Sequence, residues 1–154
     1  MVTELHEGDV APDFTLPRSG GGSVSLHELR GNEVVLYFYP KDDTSGCTKE
    51  ACDFRDRHDE IRATQGIVLG ISPDDVASHD RFASKYHLQF PLLADTDHRV
   101  AEAYGVWVSK SMYGRQYMGV ERSTFLIDGE GKIKKIWRKV KPDMHARDVL
   151  AALR

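Results

Sequence analysis

Apolar residues in this chain come in short separated runs, some unbroken and some spaced by three or four residues. Val34-Val35-Leu36-Tyr37-Phe38-Tyr39 is β-branched and aromatic throughout and is closed by Pro40, the pattern of a strand buried on both faces. Ile67-Val68-Leu69-Gly70-Ile71-Ser72 repeats it. Between the two, Ala51, Phe54, His58 and Ile61 recur at helical spacing, which predicts one amphipathic helix from Cys47 to about Ala63 with a Thr or Ser cap. Val76, Phe82, Ala83 and Tyr86 predict a second helix over 74–86. Pro91-Leu92-Leu93-Ala94 reads as a short strand, 97–104 as a short helix and Thr124-Phe125-Leu126-Ile127 as a further strand. Asp128-Gly129-Glu130-Gly131 turns the chain into a hairpin partner at 132–140, and a last helix follows over 143–153. Near the start, Phe14 to Leu16 and Val24 to Leu26 flank Gly20-Gly21-Gly22 as a small hairpin. Strands alternating with helices predict an α/β fold, a mixed central sheet flanked by helices, with a short N-terminal hairpin.

Composition narrows the function classes. Hydrophobic residues make up 40% and charged residues 29% of the 154, enough apolar content for a sizeable core and too much for a disordered chain. No linker or repeat divides the sequence, so a single domain over 1–154 is expected. Lys and Arg number 21 against 24 Asp and Glu, a net charge of −3, which supplies no basic field for nucleic acid. No apolar run approaches the ~20 residues of a membrane span. The first residues carry neither the basic start nor the apolar stretch of a secretory signal, and a cytoplasmic protein is expected.

Cys47 and Cys52 are the only cysteines. Their C-x4-C spacing matches neither a zinc knuckle nor a C-x2-C redox pair. The loop from Lys41 to Gly46 places Cys47 in the first turn of the predicted helix, where unpaired N–H groups and the helix dipole favour thiolate over thiol. Cys47 is there either a nucleophile, with Thr44 and backbone N–H groups to bond a small oxidant, or simply a small residue behind an ordinary Thr cap. Five residues of helix separate two Cα atoms by about 8–9 Å, whereas a disulfide needs about 7 Å or less. A static Cys47–Cys52 bridge is therefore disfavoured, and a transient one requires the first turn to unwind. The seven histidines show no zinc spacing and read as surface or helix-face residues, so no metal is expected. Asp42-Asp43 and Asp74-Asp75 read as acidic groups favoured by helix dipoles, and both glycine-rich stretches read as turns.

Pro40, Thr44 and Cys47 make the Pro-x3-Thr-x2-Cys pattern of the peroxiredoxins, and Gly46-Cys47-Thr48-Lys49-Glu50-Ala51-Cys52 resembles the bacterioferritin comigratory protein, or Q-type, subfamily. The similarity extends through Ala11-Pro12-Asp13-Phe14, Phe90-Pro91-Leu92-Leu93-Ala94-Asp95, Tyr104-Gly105-Val106-Trp107 and Glu121-Arg122-Ser123-Thr124. The resemblance implies a thioredoxin-like fold and a thiol peroxidase without metal or organic cofactor. It implies Cys47 as the peroxidatic and Cys52 as the resolving cysteine, closing an intramolecular disulfide. Thr44 would hold the peroxide, Pro40 would shield the site from water, Arg122 would bond the thiolate, and Glu50 would orient Arg122. Expected partners are hydrogen peroxide or a small organic hydroperoxide and a dithiol donor such as thioredoxin, or glutaredoxin in its place; a monomer is the default.

Two other readings compete at this stage: a thiol-disulfide exchange protein of similar fold, and a non-catalytic relative with structural cysteines. The absence of C-x2-C and the Thr44/Arg122 pair favour the peroxidase. Tyr39, Phe54 and Trp107 are candidates for an apolar lining near the site and read equally well as core.

Overall fold

In the computed structural model, which describes residues 4–153, the chain opens with β1 (Thr15–Pro17) and β2 (Ser23–Ser25), paired antiparallel across the triglycine turn. Residues 1–3, the start of the segment read for a secretory signal, lie outside the described residues, as does 154. A 3-10 turn, Leu26–Leu29, leads into β3 (Glu33–Phe38). Next come α1 (Ser45–Asp56), α2 (His58–Ala63), β4 (Gly66–Ser72), α3 (Val76–Tyr86), β5 (Leu92–Ala94) and α4 (Arg99–Ala103). The chain then forms β6 (Trp107–Met112), β7 (Arg115–Val120), β8 (Ser123–Ile127), β9 (Ile133–Trp137) and α5 (His145–Leu153).

The main sheet has the order β5-β4-β3-β8-β9. β3 runs parallel to β4 and β4 to β5, while β8 and β9 are antiparallel to their neighbours, so the sheet is mixed as the sequence predicts. β3 is central because both of its faces are apolar. Val34, Leu36 and Phe38 join Phe14, Leu26, Tyr104 and Phe125 in one core, and Val35, Tyr37 and the following Tyr39 join Ala51, Phe54, Ile61, Phe82 and Val149 in the other. The first core lies under the N-terminal hairpin, the 3-10 turn and α4; the second lies under α1, α2, α3 and α5. Gly70 of β4 opens room for Tyr37, since a Cβ there would stand 2.9 Å from its Cζ and Oη. Among the described residues no helix is long and apolar enough to cross a membrane.

Two elements differ from the sequence reading. The single helix predicted from Cys47 to about Ala63 is broken at Arg57 (φ −106°, ψ 8°) into α1 and α2. Phe54 and Ile61, two turns apart, are both fully buried in one core, so apolar spacing alone does not reveal the break. The second difference is the β6–β7 hairpin, a separate two-stranded sheet in a stretch with no assigned element. Its tip, Tyr113-Gly114, has positive φ at both residues (52° and 77°), the turn whose twist suits a two-residue hairpin. Met112, Tyr113, Tyr117 and Met118 remain exposed, so the hairpin carries no buried run that would have marked it as strand.

Candidate active site

Tyr39 extends β3 by one bond, its N–H donating to the Ile71 carbonyl, and Pro40 then ends the pairing because it has no N–H to give. The loop that follows delivers Thr44 as the residue before α1, in extended conformation (φ −92°, ψ 158°). Thr44 is not an ordinary cap. Its hydroxyl donates back to the Lys41 carbonyl at 2.9 Å and makes no capping bond to the helix, which leaves the lone pairs of Oγ1 to accept from another group. Cys47 lies in the first turn of α1 with only 1% of its surface exposed.

Arg122, immediately before β8, reaches this turn from the far side of β3. Its Nη2 donates to Cys47 Sγ at 3.2 Å and its Nη1 to Glu50 Oε1 at 2.7 Å. The fork thus spans two acidic groups one helical turn apart. Gly46 makes the approach feasible, since a Cβ there would stand 3.2 Å from Nη2 and 3.5 Å from Pro142 Cγ. Glu50 is buried and its Oε2 has no hydrogen-bond partner among the described residues. Burial pushes its carboxyl up to about 7, against the opposing pull of Arg122. Burial works against the charge of Arg122 as well, yet Glu50 and Cys47 together hold the guanidinium above its ordinary range. Half-buried Lys110 of β6 lies in the same field; burial and the Arg122 charge lower its ammonium.

Cys52 stands on the same unbroken helix, half-buried, with burial raising its thiol above the ordinary range; both cysteines are free thiols. With α1 regular over both, helix geometry sets their Cα atoms about 8–9 Å apart, beyond disulfide reach. Cys47, Thr44, Glu50 and Arg122 therefore gather at one end of the sheet with half-buried Pro40 at the loop's start, while Cys52 faces elsewhere on the helix.

The structure refines several readings of the sequence. Asp42 and Asp43 do not serve the α1 dipole: Asp42 is buried against Tyr39, Ser78 and His79, and Asp43 bonds Lys85 and Tyr86 of α3. His79 and His145 lie on helices, within the surface or helix-face reading, and on those helices they are buried. His145 faces Thr124 Oγ1 at 2.8 Å, and burial pushes its ring down to about 4. Trp107 packs against the opposite core and stacks on His98 with ring centroids 4.1 Å apart, so of the three lining candidates only Tyr39 and Phe54 share a core with Cys47. Asp42, Asp74 and His79 bring three ligand-type atoms within 4.8 Å of one another. These groups already bond one another and their neighbours: Asp74 Oδ2 accepts from the Asp42 N–H and from Ser72 Oγ. Asp75, in contrast, caps α3 as expected, accepting from the Ser78 N–H at 2.8 Å.

Comparison with known proteins adds to this geometry. Residues 8–136 match the AhpC/TSA family. The chain is 53% identical over 149 residues to a putative peroxiredoxin bcp of Coxiella burnetii, covering 97% of this chain and 99% of that protein. It is 48% identical over 154 residues to peroxiredoxin Bcp of Bacillus subtilis, covering 100% and 97%. Among solved structures it is similar to the Xanthomonas campestris bacterioferritin comigratory protein, described for alkyl peroxide reduction activity in trapped intermediate and ligand complexes. That match has a TM-score of 0.87 and 45% identity and covers 91% of this chain and 89% of the other.

Proposed function

This chain belongs to the AhpC/TSA family, within it to the Bcp peroxiredoxins, and on that premise we propose that it reduces hydrogen peroxide and small organic hydroperoxides through Cys47. The observation that carries the reading is the 3.2 Å bond from Arg122 to Cys47 Sγ in the first turn of α1. The attacking form is the thiolate, and the Arg122 guanidinium and the α1 N-terminus both stand where they can stabilise negative charge at the sulfur during attack. The thiolate sulfur takes the terminal peroxide oxygen with its hydrogen, the O–O bond breaks, and the other oxygen leaves as hydroxide or alkoxide, which takes a proton from solvent to become water or an alcohol. Cys47 becomes a sulfenic acid. Thr44 Oγ1, its own hydrogen given to Lys41, accepts from the peroxide O–H, and Arg122 stabilises charge on the departing oxygen. Pro40 screens the loop side from water, and Glu50 fixes the guanidinium in place.

Resolution follows within the chain. The Cys52 thiolate attacks the sulfenic sulfur, water leaves, and a Cys47–Cys52 disulfide forms; a dithiol donor, thioredoxin or glutaredoxin, returns both to thiols. Because α1 keeps the sulfurs apart, this step requires local unwinding from Gly46. Phe54 limits it. That ring is fully buried and stacked 4.9 Å from Tyr37, and exposing it would cost about 1.5–3 kcal/mol before its ring contacts are counted. Unwinding therefore stops at about Asp53. Resolution in one chain has no chemical need for a second subunit, and the reading extends to one domain over 1–154 acting as a monomer in the cytoplasm. The alkyl peroxide activity described for the Xanthomonas campestris relative supports the organic substrates.

Intact mass after one equivalent of peroxide tests both steps. The parent is expected to lose two hydrogens and the Cys52→Ser variant to gain one oxygen. Disulfide-type masses in both would refute Cys52 as the resolving residue, and failure of the parent to consume peroxide would refute the peroxidase reading.

A further inference from the structure

His79 and Asp42 form a fully internal polar pair that the reaction above does not use. Asp42 sits in the middle of the loop whose ends are Pro40 and Thr44. Its Oδ1 accepts from Tyr39 OH at 2.6 Å, and its Oδ2 faces His79 Nδ1 at 2.7 Å and accepts from Ser78 Oγ at 2.8 Å. Its backbone N–H donates to Asp74 Oδ2 at 2.8 Å. On the other side of the ring, His79 Nε2 faces the Leu93 carbonyl at 2.9 Å; a carbonyl only accepts, so Nε2 carries a hydrogen. The side chains of His79 and Asp42 are 0% and 3% exposed. One aspartate therefore ties the loop to the end of β3, to α3, to the turn after β4 and, through the ring, to β5.

The loop needs such a tie. Asp43, the residue before Thr44, has φ +58°, left-handed backbone that a residue with a Cβ adopts only where its surroundings enforce it. On the surface Asp43 is gripped by Lys85 Nζ and Tyr86 OH, both at 2.8 Å and both from α3. Inside, the same helix supplies Ser78 and His79. The conformation of the loop that delivers Thr44 to the start of α1 is thus fastened from α3.

We propose that His79, acting through Asp42, is a positioning residue for the peroxide site: it holds the Pro40–Thr44 loop in its reactive shape and makes no contact with Cys47 itself. This rests on the peroxidase reading above. Arg122 reaches Cys47 from the β8 side, independent of the loop. Loss of the pair should therefore displace the peroxide-binding groups while leaving the thiolate as nucleophilic as before.

The test uses two reactions of the same sulfur in Cys52→Ser chains, so that only Cys47 is read. His79→Gln and Asp42→Asn should each slow oxidation by hydrogen peroxide by about tenfold or more, the scale of misplaced reacting groups. Alkylation by iodoacetamide, which needs only the thiolate, should stay within about twofold of the parent or become faster. Because the two residues act as one unit, the double variant should be no slower with peroxide than the slower single variant. Unchanged peroxide rates would overturn the proposal; equal slowing of both reactions, or failure of all three variants to fold, would assign the pair to the core instead. A parent chain that does not consume peroxide would remove the peroxidase reading, and this inference with it, whereas a reactive parent with unaffected variants would remove only the inference.

Discussion

The Pro40–Thr44 loop before α1 and the first two turns of α1 are neighbours in sequence and similarly polar, yet they are fastened very differently. The loop is tied down through Asp42 and Asp43 to side chains of three other elements. The helix start depends on the Arg122 fork to Cys47 and Glu50, on small Ala51, and on an exposed Lys49–Asp143 pair of the kind that contributes little. Only at Phe54 does α1 enter an aromatic cluster, against Tyr37, Phe90 and His145. The difference locates the moving part. In the proposed cycle, oxidation of Cys47 to a sulfenic acid would weaken the Arg122 bond that fixes the helix start, while the loop would keep all of its own ties. In this account the reaction itself releases the segment that must unwind.

The largest expected effect removes the sulfur. Cys47→Ser should abolish peroxidase turnover with the fold retained, since a hydroxyl stays protonated near neutral pH; residual turnover in a peroxide-consumption assay would refute the assignment. Next is the tether. Arg122→Lys should slow peroxide-driven oxidation by about 10²-fold, because a point charge does not reproduce two fixed donors. Gly46→Ala should act on both sides of the comparison at once. The added methyl crowds Nη2, which is already committed to Cys47, and alanine favours helix by up to about 1 kcal/mol. Both oxidation and the later closure of the disulfide should slow, each by about tenfold or less, as read by stopped-flow fluorescence.

The smallest effect is on stability against pH. Glu50 has a carboxyl raised in the folded state from 4.5 to about 7, so the folded chain binds the extra proton. The stability it contributes is complete below about 4.5 and is lost as pH rises through about 7. His145 works in the opposite direction: with its ring lowered from 6.5 to about 4, its contribution is complete above 6.5 and is lost as pH falls toward 4. Urea unfolding of Glu50→Gln should therefore lose less stability than the parent as pH rises across the Glu50 window. An identical slope in both chains would show that Arg122 keeps Glu50 ionised throughout.

Pro40, Thr44 and Cys47 stand out because their residue types and separations are chemically constrained, Arg122 only through the family resemblance, and β3 and β4 because unbroken apolar runs admit few other structures. His79 does not. A buried histidine and a surface histidine look alike in a sequence, and its partner Asp42 lies 37 positions away. Asp42-Asp43 just before a helix satisfies a simple dipole rule, and nothing local shows that both carboxylates turn to α3 instead. Nothing in the sequence around Gly46 shows how closely it stands to an arginine brought in from just before β8. The β6–β7 hairpin escaped for the opposite reason: it buries too little to leave a pattern, and only Tyr113-Gly114 marks its turn.

On oxidation the two neighbouring segments are expected to part company. Amide hydrogen exchange over residues 40–54, compared between the reduced chain and the chain with its disulfide verified by mass, tests it most directly. Residues 46–53 should lose most of their protection in the disulfide form, while Asp42, whose N–H bonds Asp74, keeps its own. Equal protection of 46–53 in the two states, with the Cys47–Cys52 bond present, would contradict it.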